Sequence, residues 1–298
     1  MPRNSQNRDG RVLASPRARR AMSAQGVDPR RVIASGPGGR VVEADVLRFL
    51  ASQDGAAPAR EADAQLAGRR GAELTSMRRS IARATLASAR IPQFYLRAEF
   101  DASAMLAARR NWLVANSDAS VRPSITDFLL KALALGLRDV PESNAIWVDD
   151  SIELLDHLHV GLVVNVEGGL LVSVLRDVAR FEIVSLARER KRCVQDAQAG
   201  RLSGAGASRA ASSLSNLGTT RVDDFTALLL PPQSTMLAVG RIAERPLVVD
   251  GQLCARPTLR LTLTVDHRVL DGAMGAQLLG RIVRRLEEPA SLFDEPTT

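Results

Sequence analysis

Residues 258–287 constrain the fold more than any other stretch of the chain. In the run TLRLTLTV at 258–265, apolar and polar residues alternate without a break. Leu259, Leu261, Leu263 and Val265 take one side, and Thr258, Arg260, Thr262 and Thr264 the other. A period of two predicts a strand with one face on a core and the other solvated. Directly afterwards Met274, Leu278, Ile282 and Leu286 recur every four residues, the buried stripe of a helix. The period changes inside Asp266-His267-Arg268-Val269-Leu270-Asp271-Gly272. Those seven residues must form a short polar connection held at both ends by rigid elements, with Asp271 placed to cap the helix.

The rest of the chain supplies further elements but no regular strand–helix alternation. Ser15 as N-cap and Pro16 at the first position open a helix that Gly26 closes. After the glycine loop at 35–40, a second short helix is expected at 43–50, with acids in its first turn. Val12, Leu13, Val27, Val32, Ile33, Val41, Val46 and Leu47 are the apolar residues that could form a core for this segment. A unit of ~40 residues is near the lower limit for independent folding. Residues 1–10 read as a loose tail, and residues 51–72, poor in large apolar side chains, as a flexible linker. Helices are expected at 76–90, 101–115, 124–139, 181–199 and 272–287. Strands are expected at 92–100, 213–217, 234–242 and 258–265, with a hairpin of 158–166 and 170–175 around Glu167-Gly168-Gly169. This mixture is an α+β class.

Composition narrows the function. The 298 residues carry 40 basic and 33 acidic side chains, a net charge of +7. Residues 1–70 hold 13 arginines against 7 acids, so nearly all of the excess lies there. Such asymmetry suits an acidic partner. Nucleic acid is a poor candidate, because aromatic residues are only 3% and offer little to stack on bases. No apolar run approaches the ~18 residues of a membrane span, and the basic N-terminus has no apolar segment behind it. The expected location is the cytoplasm. Cys193 and Cys254 make neither a disulfide framework nor a zinc cluster. No metal is expected.

Three histidines are present. His267, in the polar connection, is mounted as a general base would be, although polar residues also serve such turns as caps alone; the residues leave both readings open. In Ser213-Leu214-Ser215-Asn216-Leu217-Gly218, a hydroxyl beside a glycine could donate to an oxyanion, but a strand ending in a polar turn is the commoner use. His157 and His159 stand two apart on the expected strand before 160 and read as sheet-surface residues. Cys193, on a helix, and Cys254, in an expected turn, read as inert thiols.

Taken together, these segments resemble the dihydrolipoyl acyltransferase component of 2-oxoacid dehydrogenase complexes. Residues 266–272 match the family's D-H-R-x-x-D-G motif, and residues 215–218 its S-N-L-G. Residues 230–240 resemble its N-P-P-Q-x-A-I-L-x-V-G stretch, 77–82 the start of its catalytic domain, and 91–94 its I-P-H-F. Residues 15–50 resemble its peripheral subunit-binding domain. The resemblance implies a helical subunit-binding domain at 11–50 and a chloramphenicol-acetyltransferase-like α+β domain at 73–298. It further implies a homotrimer, possible growth to a cubic or icosahedral core, and active sites between subunits. Coenzyme A and dihydrolipoamide would be the substrates. His267 would be the general base, Ser215 the oxyanion donor, and Asp271 would order the site by pairing with an arginine. Arg19 and Arg40 would dock a decarboxylase or a dihydrolipoyl dehydrogenase; Ser23 replaces another usually basic position.

Departures from the pattern open alternatives. Lys131 and Lys191 lie in helical patterns, and neither suits a lipoyl lysine, so the lipoyl group is expected in trans. The loop after Gly218 reads TTRVDDF where the family has glycine and aromatic residues, and Leu230 replaces an asparagine. Leu292-Phe293 could be an apolar knob between trimers. A non-catalytic scaffold, or a CoA-dependent acyltransferase with a non-lipoyl acceptor, would also fit those departures.

Overall fold

The computed structural model describes residues 12–54, 74–201 and 210–293; the side chains of 51–54 are not described. The expected tail at 1–10 and most of the expected linker at 51–72 lie outside these residues. The chain divides into two compact units, Met1–Glu73 and Leu74–Thr298.

In the first unit, helix α1 (Pro16–Ala24) starts where Ser15 accepts the Ala18 amide at 3.2 Å. Helix α2 (Glu43–Asp54) runs four residues past the expected end. Buried Ala14, Ala18, Met22, Val32, Val41 and Val46 form the core. Ile33 and Leu47, expected there, are 68% and 60% exposed, because so small a unit has room for few large side chains and fills its centre mainly with valines and alanines. Asp45 is buried with them. Its carboxylate accepts the Ser35 amide and hydroxyl at 2.9 and 2.5 Å and the Val42 amide at 3.0 Å, tying the glycine loop to α2.

The second unit contains helices α3 (Ser76–Ser88), α4 (Ser103–Ala115), α5 (Ile125–Asp139), α6 (Ile183–Gln198) and α7 (Gly272–Glu287). Its strands are β1 (Gln93–Asp101), β2 (Ala145–Val148), β3 (Ser151–Leu154), β4 (Val160–Val166), β5 (Gly169–Leu175), β6 (Ser212–Asn216), β7 (Thr235–Val239), β8 (Ala243–Val249) and β9 (Gln252–Asp266). The main sheet runs β1-β9-β7-β6-β4-β5, with β8 also on β9. The β4–β6 and β6–β7 pairs are parallel and the other pairs antiparallel. β2 and β3 form a separate hairpin. Every residue of α5 from Asp127 to Leu137 is buried, the charged Asp127 and Lys131 included, and α5 packs against α6 and α7.

Several expectations change. Strand β9 has 15 residues and is buried on both faces over 261–266, where one solvated face was expected. On its threonine face, Thr264 donates to the Ala227 carbonyl at 2.6 Å, and Leu229 packs with Met236, the β7 residue paired with Thr264. Cys254 lies on β9 rather than in a turn. His157 and His159 precede β4 instead of lying in it. Leu292 is fully buried and Phe293 packs edge-on against Phe128 at 5.4 Å, so the expected knob is part of its own chain's core. Lys131 is buried in α5 and donates to the Ala179 and Phe181 carbonyls at 2.8 and 2.5 Å.

Candidate active site

The polar connection between β9 and α7 is fixed from both ends. The Asp266 amide donates to the Ser234 carbonyl at 2.8 Å, and the His267 amide to the Pro92 carbonyl at 2.8 Å. On the helix side, Asp271 accepts the Met274 amide at 2.8 Å and caps α7. Among the described residues no arginine lies within ion-pair distance of Asp271. The imidazole of His267 is therefore carried on a rigid backbone yet is exposed within a single chain. Its one ring neighbour among the described residues is Phe94, with centroids 4.7 Å apart and planes at 54°. A well-held, accessible imidazole against an apolar ring can take and return a proton.

The carboxylate of the motif that is buried is Asp266, not Asp271. Arg268 grips it through Nε at 3.0 Å and Nη2 at 2.7 Å, and the Arg268 amide adds a third bond at 2.9 Å. The Asp266 hydrogen bond raises the guanidinium pKa further above its ordinary value, outweighing burial. The guanidinium also lies over the Trp147 ring at 4.8 Å, on the β2–β3 hairpin. Sequence reasoning missed Trp147, since nothing in the primary order links it to residues 266–272.

Ser215 lies on β6, half-buried, with no hydrogen-bond partner for its hydroxyl among the described residues. The sheet register shows that it does not meet His267 of the same chain. Ser215 pairs with Ala238 and Ala238 with Thr262, two strands across, and His267 lies five residues beyond Thr262. At about 3.3 Å per residue and about 4.8 Å per strand, the two are roughly 19 Å apart. The next residue, Asn216, spans two elements: Nδ2 donates to Thr126 Oγ1 at 3.1 Å, and Oδ1 accepts the Gly218 amide at 2.7 Å.

Among the described residues the other candidates form no second centre. His157 and His159 stack at 5.2 Å around Asp177, and among the described residues no cluster of three or more His, Cys, Asp or Glu could hold a metal. Burial pushes the Cys193 thiol up, away from reactivity. Arg19 and Arg40 are exposed, and neither forms an ion pair among the described residues. No helix among the described residues is long and apolar enough to cross a membrane.

Comparison with known proteins matches residues 67–293 to the 2-oxoacid dehydrogenases acyltransferase (catalytic domain) family and residues 12–47 to the e3 binding domain. The chain belongs to the 2-oxoacid dehydrogenase acyltransferase family. It is 32% identical over 290 residues to the dihydrolipoyllysine-residue acetyltransferase component of the pyruvate dehydrogenase complex of Rickettsia bellii, covering 95% of this chain and 68% of that protein. The corresponding component of Rhizobium meliloti is 31% identical over 307 residues, with 95% and 69% covered. Among solved structures, the cubic core of a pyruvate dehydrogenase multienzyme complex superposes with a TM-score of 0.71 at 25% identity, over 75% of this chain and 93% of that one. The fold is the α+β, chloramphenicol-acetyltransferase-like one of these enzymes, with a small helical domain before it. This chain is a CoA-dependent acyltransferase of the 2-oxoacid dehydrogenase type.

Proposed function

We propose that this acyltransferase moves an acyl group between dihydrolipoamide and coenzyme A with His267 as general base, at a site completed by a second copy of the chain. The observation that carries this reading is the separation of Ser215 from His267 within one chain, while each is presented with its functional group uncommitted. Imidazole is the side chain most often used to take and return a proton in catalysis. The imidazole takes the proton of the incoming thiol, and the thiolate attacks the acyl thioester carbon. The hydroxyl of Ser215 from the other copy donates to the oxyanion of the tetrahedral intermediate. Collapse breaks the original C–S bond, and the departing thiolate takes the proton back from His267. Asp271 orders the reaction loop through the start of α7, and Asp266 with Arg268 orders it from the strand side.

A cyclic trimer is the smallest assembly proposed here, in keeping with the cubic core that the fold superposes on. Neither lysine of this sequence is placed to carry the lipoyl group, because Lys131 is buried in α5 and Lys191 lies within α6. Residues 12–47 dock a dihydrolipoyl dehydrogenase or a decarboxylase, with Arg19 and Arg40 meeting acidic groups on it.

The test is acyl transfer from acetyl-CoA and branched acyl-CoAs to free dihydrolipoamide, comparing the native protein with His267→Ala. Turnover that falls by at least about a hundredfold in the variant fits general-base catalysis. Equal turnover in the two proteins, or none from a correctly assembled native protein, would overturn the reading.

A further inference from the structure

Strand β6 is paired on both sides only as far as Leu214. Its register with β4 ends at Leu162↔Leu214, whereas its register with β7 continues through Ser215↔Ala238 and Asn216↔Val239. Ser215 therefore sits where the strand has lost one neighbour, a poor place for a hydroxyl that must meet a transient oxyanion to within a fraction of an ångström. The side chain of Asn216 points to the opposite face from Ser215, toward α5. There it does two things at once. Its Nδ2 is tied to Thr126 Oγ1 in the first turn of α5, and its Oδ1 closes the strand-end turn through the Gly218 amide. The second bond fixes the amide orientation, since only the oxygen can accept from Gly218.

The anchor is itself held. Asp127, fully buried beside Thr126, accepts the Ser124 amide at 2.7 Å and Arg190 Nε at 2.6 Å, joining the first turn of α5 to α6. The turn is equally close-fitting. A Cβ added at Gly218 would meet Asn216 Oδ1 at 2.9 Å and the Gly240 carbonyl oxygen at 3.2 Å, so a side chain there displaces the brace.

We infer that Asn216 is a positioning residue for acyl transfer: its two hydrogen bonds replace the missing β4 pairing and aim the Ser215 hydroxyl at the oxyanion. This rests on the reading of Ser215 as the oxyanion donor. Asn216 touches neither substrate nor reacting atoms and acts only through its neighbour.

The experiment is a double-mutant cycle in the full chain, with kcat and both KM values measured for transfer from acetyl-CoA to dihydrolipoamide. Ser215→Ala should lower kcat by about a hundredfold. Asn216→Ala should lower kcat by about tenfold with both KM values unchanged, and the loss should vanish when it is combined with Ser215→Ala. Asn216→Asp should recover most of the loss, because its carboxylate still accepts from Gly218 and Thr126 can turn its hydroxyl to donate. If Asn216→Ala fails to fold, Thr126→Val removes one arm of the brace and enters the same cycle. An equal loss in both backgrounds, or a rise in KM in place of a fall in kcat, would overturn the positioning role. A Ser215→Ala variant with native kcat would instead remove the oxyanion reading itself, and the two failures are told apart by that single variant.

Discussion

At the residue scale, buried carboxylates carry much of the order in both units. Burial pushes the Asp45 carboxyl up, but the Ser35 hydroxyl, the Val42 and Ser35 amides and the Arg48 charge outweigh it, so its pKa lies below the ordinary carboxylate value. A lowered pKa contributes stability that is present above about pH 4 and is lost as pH falls through the folded value. Hydrogen-exchange protection factors across residues 12–50, corrected for the intrinsic rate at each pH, should accordingly be high at neutral pH and fall in acid below about pH 4. Asp45→Ala should remove about 3 kcal/mol, enough to unfold this small domain at neutral pH while the second unit keeps its own melting transition. At the reaction loop, Arg268→Lys keeps the charge but loses the two-pronged grip on Asp266 and the flat contact with Trp147. About a tenfold fall in kcat is expected, read by steady-state kinetics, with the thermal midpoint little changed.

At the element scale, the seating of α7 sets the surroundings of His267. A Cβ at Gly275 would lie 2.9 Å from Leu96 Cδ1 and 3.5 Å from Phe94 Cζ, so α7 approaches β1 as closely as a glycine allows. Gly275→Val should cost about 1–3 kcal/mol through overpacking. Because Phe94 is displaced from the His267 ring, activity should fall by more than the stability loss explains, as judged by turnover of the fraction still folded. Much of this layout was legible in the sequence, since α1, α5, α7 and β9 follow from caps and periodicity. Strand β8 was less so, with Pro246 and Pro257 interrupting its hairpin, although Asp250-Gly251, both at positive φ, is a good turn signal. The β2–β3 hairpin turns through Asp149 and Asp150 at φ 47° and 56°, and a pair of aspartates advertises such a turn poorly. The burial of Thr264 on β9 was hidden because its partner, Ala227, comes from a distant part of the chain. Of the site, His267 and the Asp271 cap could be read from local spacing. The Arg268–Trp147 and Asn216–Thr126 contacts could not, because they join residues about 120 and 90 positions apart, which no periodicity reports.

At the scale of the whole molecule, the sheet register together with the roles proposed for Ser215 and His267 calls for a site shared by more than one chain. Ser215 and His267 lie toward opposite ends of strands two apart, and no rotation of their side chains closes roughly 19 Å. If each site takes its histidine from one copy and its serine from the next, two disabled proteins can repair each other. His267→Ala subunits still offer Ser215, and Ser215→Ala subunits still offer His267. Mixed by refolding together in equal amounts, about one site in four should pair an intact serine with an intact histidine in a cyclic assembly. Turnover of the mixture should therefore rise well above that of either parent, toward about a quarter of the native value. Mixing the assembled parents without dissociation should restore nothing. A site contained within one chain predicts the opposite result, a mixture that never exceeds the average of its two parents however it is assembled.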